Sequence, residues 1–265
     1  DAAISLAMGV GARAGKVPVL CAKSCFGFIG NRMLEDYAKE AHFLVEEGCA
    51  PAEVDAALRR EVGLAMGPFA MSDLAGNDVG WRQRVERGDT RAETRSRPND
   101  RYCSLSDALC EAGHFGQKTG RGWYFYDPEK PRVPQESDVT AAIIAKHRET
   151  SGVAPRADIT SDEIVERTMF PLVNEGFRIL EEECALRPLD IDVVYCHGYG
   201  WPRHRGGPMH WADREVGLAH ILAACEKYHA RFPSQPYWEP SSLLRDVVAS
   251  GLSLEDYWET VWKKH

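Results

Sequence analysis

At 265 residues the chain has room for about two domains of ordinary size. Its 44% apolar and 27% charged residues are a globular composition, which excludes a disordered tail, a collagen-like repeat and a disulfide-stapled miniprotein. Thirty-two basic against 40 acidic side chains leave a net charge of −8 with no basic tract, which argues against general nucleic-acid binding and against an anionic membrane surface as partner.

The chain opens Asp1-Ala-Ala-Ile-Ser, without the basic region and apolar core of a signal peptide and without Met, and reads as cut from a longer protein. No apolar run approaches the ~20 residues of a membrane helix. Gly9-Val-Gly11-Ala-Arg-Ala14 nominally matches a dinucleotide fingerprint. That site needs a strand before the glycines and a helix after them, whereas here the preceding stretch reads as helix and Gly15-Lys-Val-Pro18 breaks one, so the match is coincidental. Gly11 to Lys16 is one residue short of a phosphate loop, with Val17 where a Ser or Thr belongs. Residues 17–21, Val-Pro-Val-Leu-Cys, are short, apolar and predicted as a strand. Cys25-Phe-Gly-Phe-Ile-Gly-Asn31-Arg32 is a glycine-punctuated turn leading into a long helix. It places Asn31 at the helix start, either as a cap or as an amide facing a ligand, and spacing alone favours the cap.

The strongest signal is an internal repeat at an offset of 135. Arg32, Glu40, Glu46-Glu47 and Cys49 recur as Arg167, Glu175, Glu181-Glu182 and Cys184. With slightly larger offsets, Val54-Asp55 matches Ile191-Asp192, Gly63 matches Gly200, and Gly67-Pro68 matches Gly207-Pro208. In both copies the repeated stretch is helical by periodicity: Leu34, Tyr37, Ala38, Ala41, Leu44 and Val45 in one, Val165, Met169, Leu172, Val173, Gly176 and Leu180 in the other. Gly48 is a plausible helix stop, Pro51 suits the first turn of the next helix, and Thr160-Ser-Asp-Glu163 fits a capping box. Glu46-Glu47 and Glu181–Glu183 read as solvated helix ends.

Residues 86–101, rich in Arg, Asp and Thr, are predicted as an exposed loop. Phe115-Gly-Gln-Lys-Thr-Gly120-Arg-Gly122 is a turn into a small hairpin whose aromatic arm is residues 122–126; a phosphate cradle is the rival reading. Residues 127–137, with three prolines, form a linker. His197, His204 and His210 stand at intervals that do not fit a metal pair on one helix face, and close packing of a Gly- and Pro-rich loop accounts better for them. The eight cysteines contain no CxxC pair and read as reduced thiols rather than disulfides or a zinc site. The domain division is a lead-in over 1–26, a first helical domain over 27–135 and a second over 136–265.

At these residues the sequence resembles a known family. The run from Lys16-Val-Pro-Val19 through Cys25-Phe-Gly-Phe-Ile-Gly-Asn31-Arg32-Met33 resembles the junction in L-3-hydroxyacyl-CoA dehydrogenases where the NAD-binding domain ends and the C-terminal domain opens. Met66-Gly-Pro-Phe69, Ser72 to Gly76 with Asp78 to Trp81, and Gly116 to Tyr124 continue the likeness. Asp192-Val-Val-Tyr195 and His197 to Met209 are similar to the last domain of multifunctional fatty-acid oxidation enzymes, such as bifunctional enoyl-CoA hydratase/3-hydroxyacyl-CoA dehydrogenases.

The resemblance implies an all-α fold of tandem duplicated helical domains, of the 6-phosphogluconate dehydrogenase C-terminal type, with the strand lead-in and small hairpin added. It implies oxidation of a (3S)-hydroxyacyl-CoA with NAD as hydride acceptor, and it places Asn31 at the catalytic site as the Asn of the family's motif, reversing the cap-first reading. NAD and the His–Glu pair belong to a domain that would precede this chain. No cofactor and no metal are expected in the chain itself, and the isolated chain is expected to be inactive. Glu166 aligns with Asn31, so the second copy lacks that Asn and is expected to buttress the first as an internal pseudo-dimer; a homo-oligomer is the other possibility. The expected partners are the acyl-CoA and the preceding NAD-binding domain. The ending Trp262-Lys-Lys-His265 lacks a peroxisomal signal, which favours the bacterial cytoplasm, with the peroxisome as alternative. The rival class is a non-catalytic helical assembly module. A helical domain of a dehydrogenase for small hydroxy acids fits the tandem duplication poorly.

Overall fold

A computed structural model describes residues 2–91 and 101–262, and among these the protein is helical with isolated β-bridges in place of a sheet. Helix α1 (Ala2–Arg13) buries no residue. Residues 17–21, predicted as a strand, run as coil with Val17 half exposed. A strand persists only where another strand pairs its backbone groups, and the segment has none among the described residues.

The chain divides into two compact units that cut across the predicted domains. The first comprises residues 1–36, 169–232 and 236–265, and the second residues 37–168 with 233–235. The long helix α2 (Gly30–Glu47) begins in the first unit and continues into the second. Tyr37, Ala41, Leu44 and Val45 on its predicted apolar face are buried.

In the second unit, Gly48 ends α2 at φ +142, and a Cβ there would lie 2.3 Å from the Arg156 carbonyl oxygen. Pro51 opens α3 (Pro51–Glu61), where its missing N–H leaves no hydrogen bond unmade. Then come α4 (Pro68–Ala75), α5 (Asn77–Arg87) and α6 (Leu105–Glu111). Of the predicted loop over 86–101, residues 86 and 87 finish α5 and residues 92–100 lie outside the described residues. The predicted hairpin is reduced to single bridges, Gly116 with Arg121, Arg121 with Phe125 and Phe125 with Gln135. The cause is a tertiary contact: the N–H groups of Trp123 and Tyr124 donate to the buried Asp73 carboxylate at 2.9 and 3.0 Å, so a strand ladder cannot use them. Beyond the linker, Ser137 caps α7 (Asp138–Ser151) by accepting from the Thr140 N–H, and α7 packs on α6.

Helix α8 (Ser161–Glu181) opens on half of the predicted capping box. Thr160 Oγ1 accepts from the Glu163 N–H at 3.2 Å, but the Glu163 carboxylate turns to the Arg156 guanidinium instead of reaching back. The rest of α8 belongs to the first unit, with α9 (Pro188–Gly198), α10 (Pro208–Trp211), α11 (Leu218–Arg231), α12 (Ser242–Ser250) and α13 (Leu254–Thr260). Its core holds Phe177, Leu180, Tyr195, Tyr228 and Trp238.

The repeat has a structural counterpart in each unit. In the second, Asp55 accepts from the Phe69 and Ala70 N–H groups at 3.0 and 2.9 Å, at the start of α4. In the first, Asp192 accepts from the Met209 N–H at 2.8 Å and the His210 N–H at 3.3 Å, at the start of α10. Each carboxylate satisfies N–H groups that a helix start leaves without intrahelical partners. The Gly-Pro of each copy follows from this: a Cβ on Gly67 or Gly207 would lie 2.3 or 2.4 Å from the aspartate.

Candidate functional site

Asn31 is the second residue of α2 and is exposed. The turn before it needs its glycines. Gly27 sits at φ +77, where a Cβ would lie 2.7 Å from the Arg32 nitrogen, and Phe28 takes φ +54, a rare conformation for an aromatic residue. Phe26 and Phe28 are 69% and 68% exposed, an apolar surface directly before Asn31 in the chain.

The Asn31 amide does not act as the cap. Its Oδ1 accepts a hydrogen bond from the Tyr199 hydroxyl at 2.7 Å, and Nδ2 makes no hydrogen bond among the described residues. Tyr199 stacks on Tyr195 with ring centroids 4.9 Å apart, and the Tyr195 hydroxyl donates to the Gly30 carbonyl at 3.1 Å. Gly30 must be glycine because a Cβ would stand 2.2 Å from the Tyr199 ring. The result is an outward-facing amide N–H pair at the positive end of an 18-residue helix, a donor suited to an oxygen carrying partial negative charge. Both tyrosines come from the second repeat copy, at the end of α9, and no motif of Asn31's own segment announces them.

Behind the amide, Arg32 donates to Glu175 at 2.5 Å and to both Glu182 oxygens at 2.6 and 2.8 Å. In the other unit, Arg167 donates to Glu40 at 2.7 Å and to both Glu47 oxygens at 2.5 and 3.0 Å. These are the same three repeat positions, each arginine taking the other copy's glutamates. Arg167 and Glu40 are fully buried, whereas Glu182 is half exposed.

Glu46 and Glu47 are therefore not solvated ends. They are buried against Arg101, which donates to both at 2.7 Å. Burial opposes the Glu47 charge, but Arg167 and Arg101 still hold the group below its ordinary pKa. Glu182 and Glu183 are exposed as read, whereas Glu181 is half-buried and accepts from the Leu243 N–H at 2.5 Å. Sequence spacing also missed Glu46, Cys103 and His147, whose donor atoms lie within 4.8 Å of one another. Positions so far apart share no motif, and Glu46 is already held by Arg101 and by His147 Nε2 at 2.8 Å.

The other candidates make local contacts. The glycines of 116–122 make room for Asp73, since a Cβ on Gly122 would lie 2.0 Å from its Oδ1, and Lys118 pairs with Asp78. His197, His204 and His210 are all exposed; His197 Nδ1 lies 3.5 Å from Arg203, and the His210 ring packs under Gly206. Gly9 and Gly11 lie inside α1, so they form no strand–turn–helix cradle. All eight cysteines are free thiols. His42 stacks on Trp123 at 5.2 Å, and burial with the nearby Arg84 charge pushes it down to about 3. Cavities of about 510 and 360 Å³ lie in the second unit, and Asn31 lines neither.

The helical fold, the duplicated aspartate-capped starts and the glycine turn into Asn31 define a class that the family comparison identifies. The model of the 3-hydroxyacyl-CoA dehydrogenase C-terminal domain matches twice, over residues 27–126 and 164–256, and the chain belongs to this family.

Among curated proteins, the peroxisomal bifunctional enzyme of Danio rerio is 48% identical over 94% of this chain and 35% of its own length. That of Homo sapiens is 45% identical over 97% and 36%. A peroxisomal fatty acid beta-oxidation multifunctional protein of Arabidopsis thaliana is 32% identical over 94% and 33%. The chain thus spans about a third of the length of these relatives. The solved dehydrogenase part of multifunctional enzyme 1 from C. elegans matches with a TM-score of 0.68 and 28% identity, over 92% of this chain and 53% of that one. A 3-hydroxybutyryl-CoA dehydrogenase from Escherichia coli shares the fold at a TM-score of 0.69 and 23% identity, over 94% of this chain and 65% of that one.

Proposed function

We propose that the chain is the substrate-side region of an NAD-dependent dehydrogenase that oxidises (3S)-hydroxyacyl-CoA to 3-oxoacyl-CoA in fatty-acid β-oxidation. In this reading Asn31 donates from Nδ2 to an oxygen of the acyl-CoA or to the base that takes the hydroxyl proton. The observation that carries it is the outward-facing Asn31 amide, held by Tyr199 at 2.7 Å, with two exposed phenylalanines just before it in the chain. NAD and the acid–base pair are supplied by a preceding domain, which would cover Phe26 and Phe28. Residues 1–26 are the lead-in from that domain, 27–135 the first helical copy and 136–265 the second. The reciprocal Arg32 and Arg167 pairings support an internal pseudo-dimer of the copies, since a two-fold contact repeats each pair with the partners exchanged. The relatives' identities of 45–48% favour a peroxisomal setting over the bacterial cytoplasm.

The test is Asn31→Ala in the full-length dehydrogenase. Loss of a donor used in the transition state lowers kcat by about 10²–10³-fold, while the melting temperature stays near that of the parent. The isolated chain is expected to give no NADH from 3-hydroxyacyl-CoA. Full turnover by the Asn31→Ala enzyme would leave the chain as an assembly module, and NADH formation by the isolated chain would overturn the two-domain division of labour.

A further inference from the structure

We propose that Tyr199 is a positioning residue for the Asn31 amide, so that the second repeat copy, which has no Asn of its own at this place, still sets the chemistry of the first. The proposal rests on the assignment of Asn31 to the acyl-CoA site. A carboxamide offers an acceptor on one arm and two donors on the other, and rotation by half a turn about its last side-chain bond exchanges them. An amide that must donate to a substrate oxygen is competent in only one of these orientations. The Tyr199 hydroxyl selects that one by donating to Oδ1 at 2.7 Å, which leaves the Nδ2 hydrogens for the ligand.

The phenol is itself held rigidly. Its ring lies over Tyr195 at 4.9 Å, and Tyr195 is crossed edge-on by Trp201 at 6.2 Å, which in turn meets Trp211 at 5.8 Å. The Tyr199 N–H closes the end of α9 on the Tyr195 carbonyl at 3.1 Å, and the Tyr195 hydroxyl fastens the stack to the Gly30 carbonyl, one residue before Asn31. Gly30 leaves no space between the Tyr199 ring and the helix backbone. The Tyr199 phenol, protonated at neutral pH like any tyrosine and pushed further up by partial burial, is a donor there. The alternative of a ring that serves only packing leaves unexplained why the hydroxyl is spent on the one exposed amide of the motif.

The experiment is a double-mutant cycle in the full-length dehydrogenase, with Tyr199→Phe made in the Asn31 and in the Asn31→Ala background. The Phe ring preserves the stack, and a melting temperature within a degree or two of the parent checks that it does. Loss of one orienting hydrogen bond is expected to lower kcat by about 2- to 12-fold with little change in KM for the acyl-CoA, and to have no further effect once Asn31 is Ala. The Asn31 side-chain NH2 resonances are expected to shift in the Tyr199→Phe chain, a readout that does not depend on turnover. An equal loss in both backgrounds, or no loss with unshifted resonances, overturns the role of Tyr199 while leaving that of Asn31 intact. Full activity of the Asn31→Ala enzyme refutes instead the assignment on which the proposal stands.

Discussion

Replacing Arg167 by Met tests how much the reciprocal arginine pairing contributes to stability. The substitution keeps most of the side-chain volume and removes the charge. Arg167 and Glu40 have no exposed side-chain surface and Glu47 is 7% exposed, so the change leaves two carboxylates in a dry site without the guanidinium that joined them. Breaking a buried pair by removing one partner costs about 3–5 kcal/mol. Arg101 still donates to Glu47 at 2.7 Å, which places the expected loss at about 3 kcal/mol. The same substitution at Arg32 is an internal control, because Glu182 is 51% exposed and takes up water while the more buried Glu175 keeps Arg178 at 3.3 Å; the expected loss there is about 1 kcal/mol.

The pH dependence adds a second signature. In the parent, Glu47 is held below its ordinary pKa, so its contribution is present above pH ~4.5 and is lost as pH falls through the folded-state value. In the Arg167→Met protein Glu47 stays buried with one of its two guanidiniums gone, so its charged form is less favoured and its protonation costs less. The difference between the two proteins should therefore narrow steadily from pH 7 to pH 4. Urea unfolding read by tryptophan fluorescence and far-UV circular dichroism measures both effects. A loss below about 1 kcal/mol at pH 7, or one that does not change with pH, would refute the reasoning.

Two further outcomes follow from buried titrating groups. Burial pushes Asp192 up to about 7 from an ordinary 3.8, so the folded state holds its proton more tightly and stability declines as pH rises from about 4 to 7; Asp192→Asn, whose amide oxygen still accepts from the Met209 N–H, should flatten that decline in thermal melts. His42, pushed down to about 3, stays neutral in the fold while the unfolded chain takes up a proton below pH ~6.5, so stability is lost as pH falls below 6.5; His42→Phe should remove that loss and retain the stack on Trp123, and an unchanged acid limb would contradict it.

Local order was legible where it depends on neighbours in the chain. The period of Tyr37, Ala41, Leu44 and Val45 predicts the buried face of α2, because every third or fourth residue of a helix returns to the same side. Pro51 at a helix start and the glycine turn into Asn31 are of the same kind. The repeat of Arg, Glu, Glu-Glu and Cys at an offset of 135 is visible in one dimension and carries the duplication with it.

What spacing could not supply is partnership, since a charged side chain reads alike whether water or another residue neutralises it. Glu46-Glu47 and Glu182-Glu183 are alike in sequence, yet Arg101 and Arg167 bury the first pair and solvent covers much of the second. The expected strand over 17–21 and the hairpin arm over 122–126 fail for a related reason. Extended segments need backbone partners, and the first found none among the described residues while Asp73 took those of the second. The sequence by itself thus determined the two long repeated helices, the duplication and the place of Asn31 at the head of α2. Only the tertiary structure decided that Tyr199, 168 residues away, takes the Oδ1 of that amide, because a hydrogen bond depends on a meeting of two atoms that no pattern along the chain records.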